Sequence, residues 1–69
     1  MADSVYKVIE LIGTSTKGWE DAAKNAVDKA GESLKNLRIA EIGKLDMTME
    51  DGNVVRFRAR VTLSFKIVD

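Results

Sequence analysis

The chain has 69 residues, eleven of them basic and eleven acidic, with no cysteine and no histidine. That composition excludes a disulfide framework and the usual zinc arrangements, and a zero net charge argues against nucleic acid or an acidic membrane as the main partner. A chain of this size is one domain, residues 1–69, that removes only about 60% of its unfolded surface from water, so self-association is the leading route to stability.

The amino terminus, MADSVYKVIEL, has no basic segment followed by a long apolar run. Neither a signal peptide nor a membrane span is supported, and a cytoplasmic location is the default expectation. Residues 4–12, SVYKVIELI, are rich in β-branched and apolar types and predict a strand. Val5, Ile9 and Leu11 fall on one face, Tyr6, Val8 and Ile12 on the other, so the strand asks for cover on both sides.

GTSTKG, residues 13–18, reads as a turn in which Ser15 or Thr16 caps the following helix. Glu20 and Asp21 then lie in the first turn, where the helix dipole favours negative charge. Apolar residues at 19, 22, 23, 26, 27, 30, 34 and 37 make a single stripe, predicting a helix over about 17–36. Alanine at 22, 23, 26 and 30 keeps that stripe thin, so the backbone can approach a sheet closely.

Residues 37–49 predict a second strand, with Ile39, Leu45, Met47 and Met49 on one face and a bulge or bend at Gly43. Asp51-Gly52 between two extended runs is a hairpin signal. The last strand, VVRFRARVTLSFKIVD, alternates almost without a break: Val55, Phe57, Ala59, Val61, Leu63, Phe65 and Ile67 share one face, and Arg56, Arg58, Arg60, Thr62, Ser64 and Lys66 the other. The order strand, helix, strand, strand gives an α+β fold, one helix packed on a three-stranded antiparallel sheet. A helix of that length cannot roof a ribbon of about 50 Å, so part of the apolar surface must be covered by another chain.

Val5-Tyr6-Lys7-Val8, Gly13-Thr14-Ser15 before an alanine-rich helix, Ala40-Glu41-Ile42 and the closing Ser64-Phe65-Lys66 together resemble the dodecin family over essentially the whole chain. The resemblance implies a β-α-β-β subunit, a hollow shell of twelve identical copies, and non-enzymatic binding and storage of flavins. It also implies two flavin contacts: a stacking tryptophan before the alanine-glutamate pair, and a glutamine on the third strand. Those positions hold Ile39 and Arg58 here. Ile39 has no π face to stack, and Arg58 has no acceptor for a flavin ring N–H. The chain is therefore more similar to the branch without that tryptophan, for which calcium has been proposed.

Other residues carry competing readings. The arginine ladder 56, 58, 60 can pair with carboxylates such as Glu41, Asp46 or Glu10, or can line an anion-binding surface; nucleic-acid recognition is disfavoured for want of interleaved aromatics. Trp19 reads as a core or subunit contact, with a relocated aromatic site as the alternative. Asp46, Glu50 and Asp51 near the hairpin fall short of the six to eight oxygens calcium takes. Ser15 has no histidine to act as its base, GTSTKG lacks the Walker spacing, and no catalytic residue is assigned.

Three functions remain in view. The first is a homododecameric shell that binds or stores a small ligand or ion with the flavin site altered. The second keeps flavin as ligand through changed contacts. The third is an adaptor whose long strand edge receives a partner strand.

Overall fold

The computed structural model describes residues 3–67 as β1 (Val5–Ser15), α1 (Trp19–Gly31), β2 (Leu37–Glu50) and β3 (Asn53–Ile67). The strands form one sheet in the order β1-β3-β2, with β1 and β2 both antiparallel to β3. The expected α+β fold, one helix on a three-stranded antiparallel sheet, is what the chain adopts. Among the described residues no helix is long and apolar enough to cross a membrane.

The hairpin forms where Asp51-Gly52 asked for it. Both residues have positive φ, 50° and 78°, as a two-residue turn between right-twisted strands requires, and Glu50 pairs with Asn53 across it. The arginine-bearing β3 is the central strand, with ladder partners on both sides. An adaptor reading that relies on the long strand's own edge therefore loses it; the free edges belong to β1 and β2.

Three boundaries differ from expectation. β1 runs on through Gly13, Thr14 and Ser15, which pair with Ala59, Arg58 and Phe57. The glycine is there for close approach: a Cβ at Gly13 would collide with the carbonyl of Ala22 and lie 3.0 Å from the Ala26 Cβ. Neither Ser15 nor Thr16 caps the helix. The N-cap is Gly18, which makes no side-chain bond. Ser15 Oγ instead donates to Asp21 Oδ2 at 2.7 Å and accepts the Lys17 N–H at 2.9 Å, and Asn25 Nδ2 donates to the Thr14 carbonyl at 3.0 Å. These bonds fasten the helix start to the end of β1.

The helix is also shorter than the apolar stripe suggested, ending at Gly31. The Leu34 N–H still reaches the Ala30 carbonyl at 2.9 Å, but Asn36 turns to a φ of 63° and hands the chain to β2. Leu34 and Leu37 pack on the core from this linker and the strand that follows, which is why they continue the stripe without being helical.

The buried core is small: Ala22, Ala26 and Ala30 of the helix against Ala59, Val61 and Leu63 of β3. A 13-residue helix is about 20 Å long, whereas the molecule measures 56 Å on its long axis. Beyond the roof, Val5, Met49, Val54, Val55 and Ile67 are exposed. On the far side of the sheet Val8, Ile12 and Ile39 are exposed too, so β1 has the two-sided demand for cover that its composition announced.

Candidate functional site

The register defines the sheet face turned away from the helix, because partners directly across a ladder project to the same side. Ile39 of β2 lies opposite Ser64. On the next rung Thr62 stands between Glu10 and Glu41, then Arg60 between Ile12 and Lys44, then Arg58 between Thr14 and Asp46; Arg56 faces Thr48.

Ile39 therefore does not share a face with Leu45 and Met47, as a regular strand 37–49 would require. Leu45 and Met47 pair with Ala59 and Phe57 on the helix side, while Ile39 pairs with Ser64 on the other. The register shifts between Ile42 and Lys44 at Gly43, and one extra residue inverts the alternation from that point on. The bulge itself was legible in the glycine; its effect on the facing was missed.

Ile39 and Arg58 do lie on one face, yet one chain does not bring them together. From Ser64, the partner of Ile39, to Arg58 is six residues of β3, about 20 Å. Ile39 is 58% exposed. A ring-sized ligand does not span that distance within one chain.

Arg58 is already engaged. Its Nε donates to Asp46 Oδ1 at 2.7 Å and its Nη2 to Asp46 Oδ2 at 3.0 Å, a bidentate pair across the ladder. The hydrogen bonds from Arg58 hold the Asp46 carboxyl below its usual range, and those same bonds hold the Arg58 guanidinium above its own. Among the carboxylates open to the arginine ladder, Asp46 is the one Arg58 takes. Among the described residues, Arg56 and Arg60 form no ion pair.

Trp19 meets the same end of the sheet from the helix side. Its ring stands edge-on to Phe57, 5.1 Å between centroids at 74°, and Nε1 donates to the Asp46 carbonyl at 2.9 Å. This is a packing contact within the subunit, on the face opposite Ile39. Beside it an apolar groove of about 360 Å³ is lined by Trp19, Glu20, Ala23, Ile42 and Leu45. Sequence reasoning missed that groove, although Trp19 and Ala23 one turn apart were its signal. Asp46, Glu50 and Asp51 do not converge: among the described residues no three acidic, His or Cys groups gather as a metal site.

Comparison with known proteins gives one consistent answer. Residues 5–68 match the dodecin family model. The calcium dodecin of Mycobacterium tuberculosis is 41% identical over 64 residues, 93% of this chain and 90% of that protein. The dodecin of Thermus thermophilus is 30% identical over 63 residues, 91% of each. Among solved structures, the dodecin of Streptomyces coelicolor superposes with a TM-score of 0.92 at 32% identity, over 100% of this chain and 99% of that one. A structure of the Mycobacterium tuberculosis protein, described as calcium chelating with a novel calcium-binding site, gives a TM-score of 0.83 at 41% identity, covering 94% and 93% of the two chains.

Proposed function

The chain belongs to the dodecin family, and from that premise we propose that it is a non-enzymatic, homododecameric shell protein that binds or stores a small ligand or ion. Its domain is the whole chain, 1–69, and its place is the cytoplasm, with no nucleic acid or membrane as partner. The observation that carries the reading is the mismatch between a core of six buried residues, among those described, and apolar side chains exposed on both faces of the sheet. Copies packed together cover what the helix leaves open.

Ile39 and Arg58 stand at the positions of the family's flavin contacts, and both are changed in kind. The isoleucine cannot stack, and the guanidinium is held by Asp46. A flavin kept through these contacts would have to displace a bidentate ion pair to gain a donor it does not need. Calcium is favoured over flavin by the similarity to calcium dodecin. A single subunit supplies no cluster of acidic ligands among its described residues, so a calcium site would be completed by carboxylates from several copies about a symmetry axis.

Light scattering at native pH tests the assembly: twelve chains of 7.6 kDa give about 91 kDa, and a monodisperse monomer would refute the proposal. Isothermal titration of the assembled protein with calcium, and fluorescence titration of riboflavin with the protein, separate the ligands. Heat with calcium and unchanged flavin emission is the expected pair of results. Quenching of riboflavin at micromolar protein would transfer the function to flavin storage.

A further inference from the structure

The helix does not cover the three strands evenly. Its buried alanines pack on β3, and Gly13 of β1 lets Ala22 come close, whereas β2 is exposed at every residue except Leu37. The apolar groove beside Trp19 is the gap this leaves between α1 and β2. Ile42 and Leu45 in its lining are 47% and 50% exposed, and its single charged residue, Glu20, is exposed and forms no ion pair among the described residues. The same face of the sheet has a second bare patch at its other end. Val5 and Ile67 pair there, 63% and 41% exposed, and Lys7 projects beside them, exposed and also without an ion pair among the described residues. Lys7 lies across from Phe65 and Trp19 packs on Phe57, so eight residues of β3, about 26 Å, separate patch from groove. A chain cannot fill its own groove with its own end.

We propose that the groove between α1 and β2 receives the Val5–Ile67 end of a second copy of this chain, with Lys7 of that copy paired to Glu20. Charge selects this end over the other apolar surfaces left bare. The hairpin end, where Met49 pairs with Val54, carries Glu50 and Asp51, and would set like charges against Glu20. On the opposite sheet face Val8, Ile12 and Ile39 stand among Glu10 and Glu41, with the same result. Val5 and Ile67 bring a cation on their own face. Two different surfaces then meet head to tail, a heterologous contact that closes into a ring when the rotation between copies allows it. The inference rests on the shell reading and deepens it, naming two of the surfaces that meet.

The test uses the whole chain, with light scattering to read mass and acrylamide quenching of Trp19, the one tryptophan, to read the groove. Diluting wild type through its assembly midpoint should open Trp19 to the quencher in step with the loss of mass. Glu20→Lys and Lys7→Glu each set like charges against one another between copies, and each should raise that midpoint concentration roughly tenfold. The double variant exchanges the two charges and should return the midpoint toward wild type. Because the residues are far apart in one chain, such a rescue comes only from contact between copies. Single variants that keep wild-type mass and shielding overturn the contact and leave the shell standing, as does a full-mass wild-type shell with Trp19 open to acrylamide. Single variants that lose mass without rescue in the double overturn the pairing as well. Trp19 that stays shielded in a variant whose mass is lost overturns it too, since something other than a second copy then fills the groove. A wild type monomeric at every concentration removes the shell and this contact with it.

Discussion

Asp46 and Arg58 face each other across the β2-β3 ladder with two parallel hydrogen bonds, 2.7 and 3.0 Å long, and the same Asp46 accepts the Trp19 indole N–H through its backbone carbonyl. One residue thus ties the helix start to β2 and locks Arg58, the arginine that we propose stands at the family's ligand position. The lock is made of exposed groups, 36% and 54% for the two side chains, so solvent screens it and its strength lies in geometry more than in burial.

That pair sets a pH dependence whose sign follows from the depressed Asp46 carboxyl. A group with a folded pKa below its unfolded value of 3.8 contributes stability that is present above the unfolded value and is lost as pH falls through the folded one. Denaturant melts of wild type and Asp46→Asn should therefore differ at neutral pH and converge below pH 3.8. A gap that stays constant down the acid range would show that the pair contributes nothing through ionisation.

Restoring the family's ligand chemistry should restore flavin. In Ile39→Trp/Arg58→Gln the stacking surface and the amide acceptor return, and each aromatic stack is worth about 0.5–1.5 kcal/mol beyond its area, or roughly two- to tenfold in affinity. Riboflavin emission should be quenched by the double variant and left unchanged by wild type. Arg58→Gln alone should not suffice, because no ring stacks on the isoalloxazine. Failure of the double variant, with assembly intact, would mean that other residues bar the site.

Two glycines give opposite results on the same substitution. Gly13→Ala places a methyl against the Ala22 carbonyl and the Ala26 Cβ, and forcing the helix off the sheet should cost about 1–3 kcal/mol. Gly31 ends the helix with open space around its Cα, so Gly31→Ala should gain about 0.4–1 kcal/mol by restricting the unfolded chain. Chemical denaturation at fixed protein concentration reads both. Equal effects would remove close packing as the reason for Gly13.

The pattern in these residues explains what could be read in advance. Element order, the helix stripe and the Asp51-Gly52 turn are local, and periods of 3.6 and 2 disclose them. The fate of Gly13-Thr14-Ser15 is not local: the segment looks like a turn, and its ladder pairing with Ala59, Arg58 and Phe57 makes it strand. The face of Ile39 depended on parity across Gly43, where a one-residue bulge exchanges inside for outside. Arg58 had three carboxylates to choose from, and the pairing with Asp46 follows from the register, which a single sequence does not state. The sequence offered Ile39 and Arg58 as two altered positions, while their separation of about 20 Å within a chain emerged only from the ladder.

Coupling of folding to assembly makes a last quantitative prediction. If exposed Val5, Val8, Ile39 and Leu45 are covered by neighbouring copies, the folded chain is stabilised by mass action and its melting temperature depends on concentration. For twelve chains dissociating as they unfold, a tenfold dilution removes eleven twelfths of about 1.4 kcal/mol per chain. In a domain of this length 1 kcal/mol moves the midpoint by roughly 4–8 °C, so each tenfold dilution should lower a reversible Tm by about 5–10 °C. Differential scanning fluorimetry across two decades of concentration measures the slope. A Tm independent of concentration in reversible melts would show that a lone subunit is stable with its apolar faces bare, and the shell would lose its physical cause.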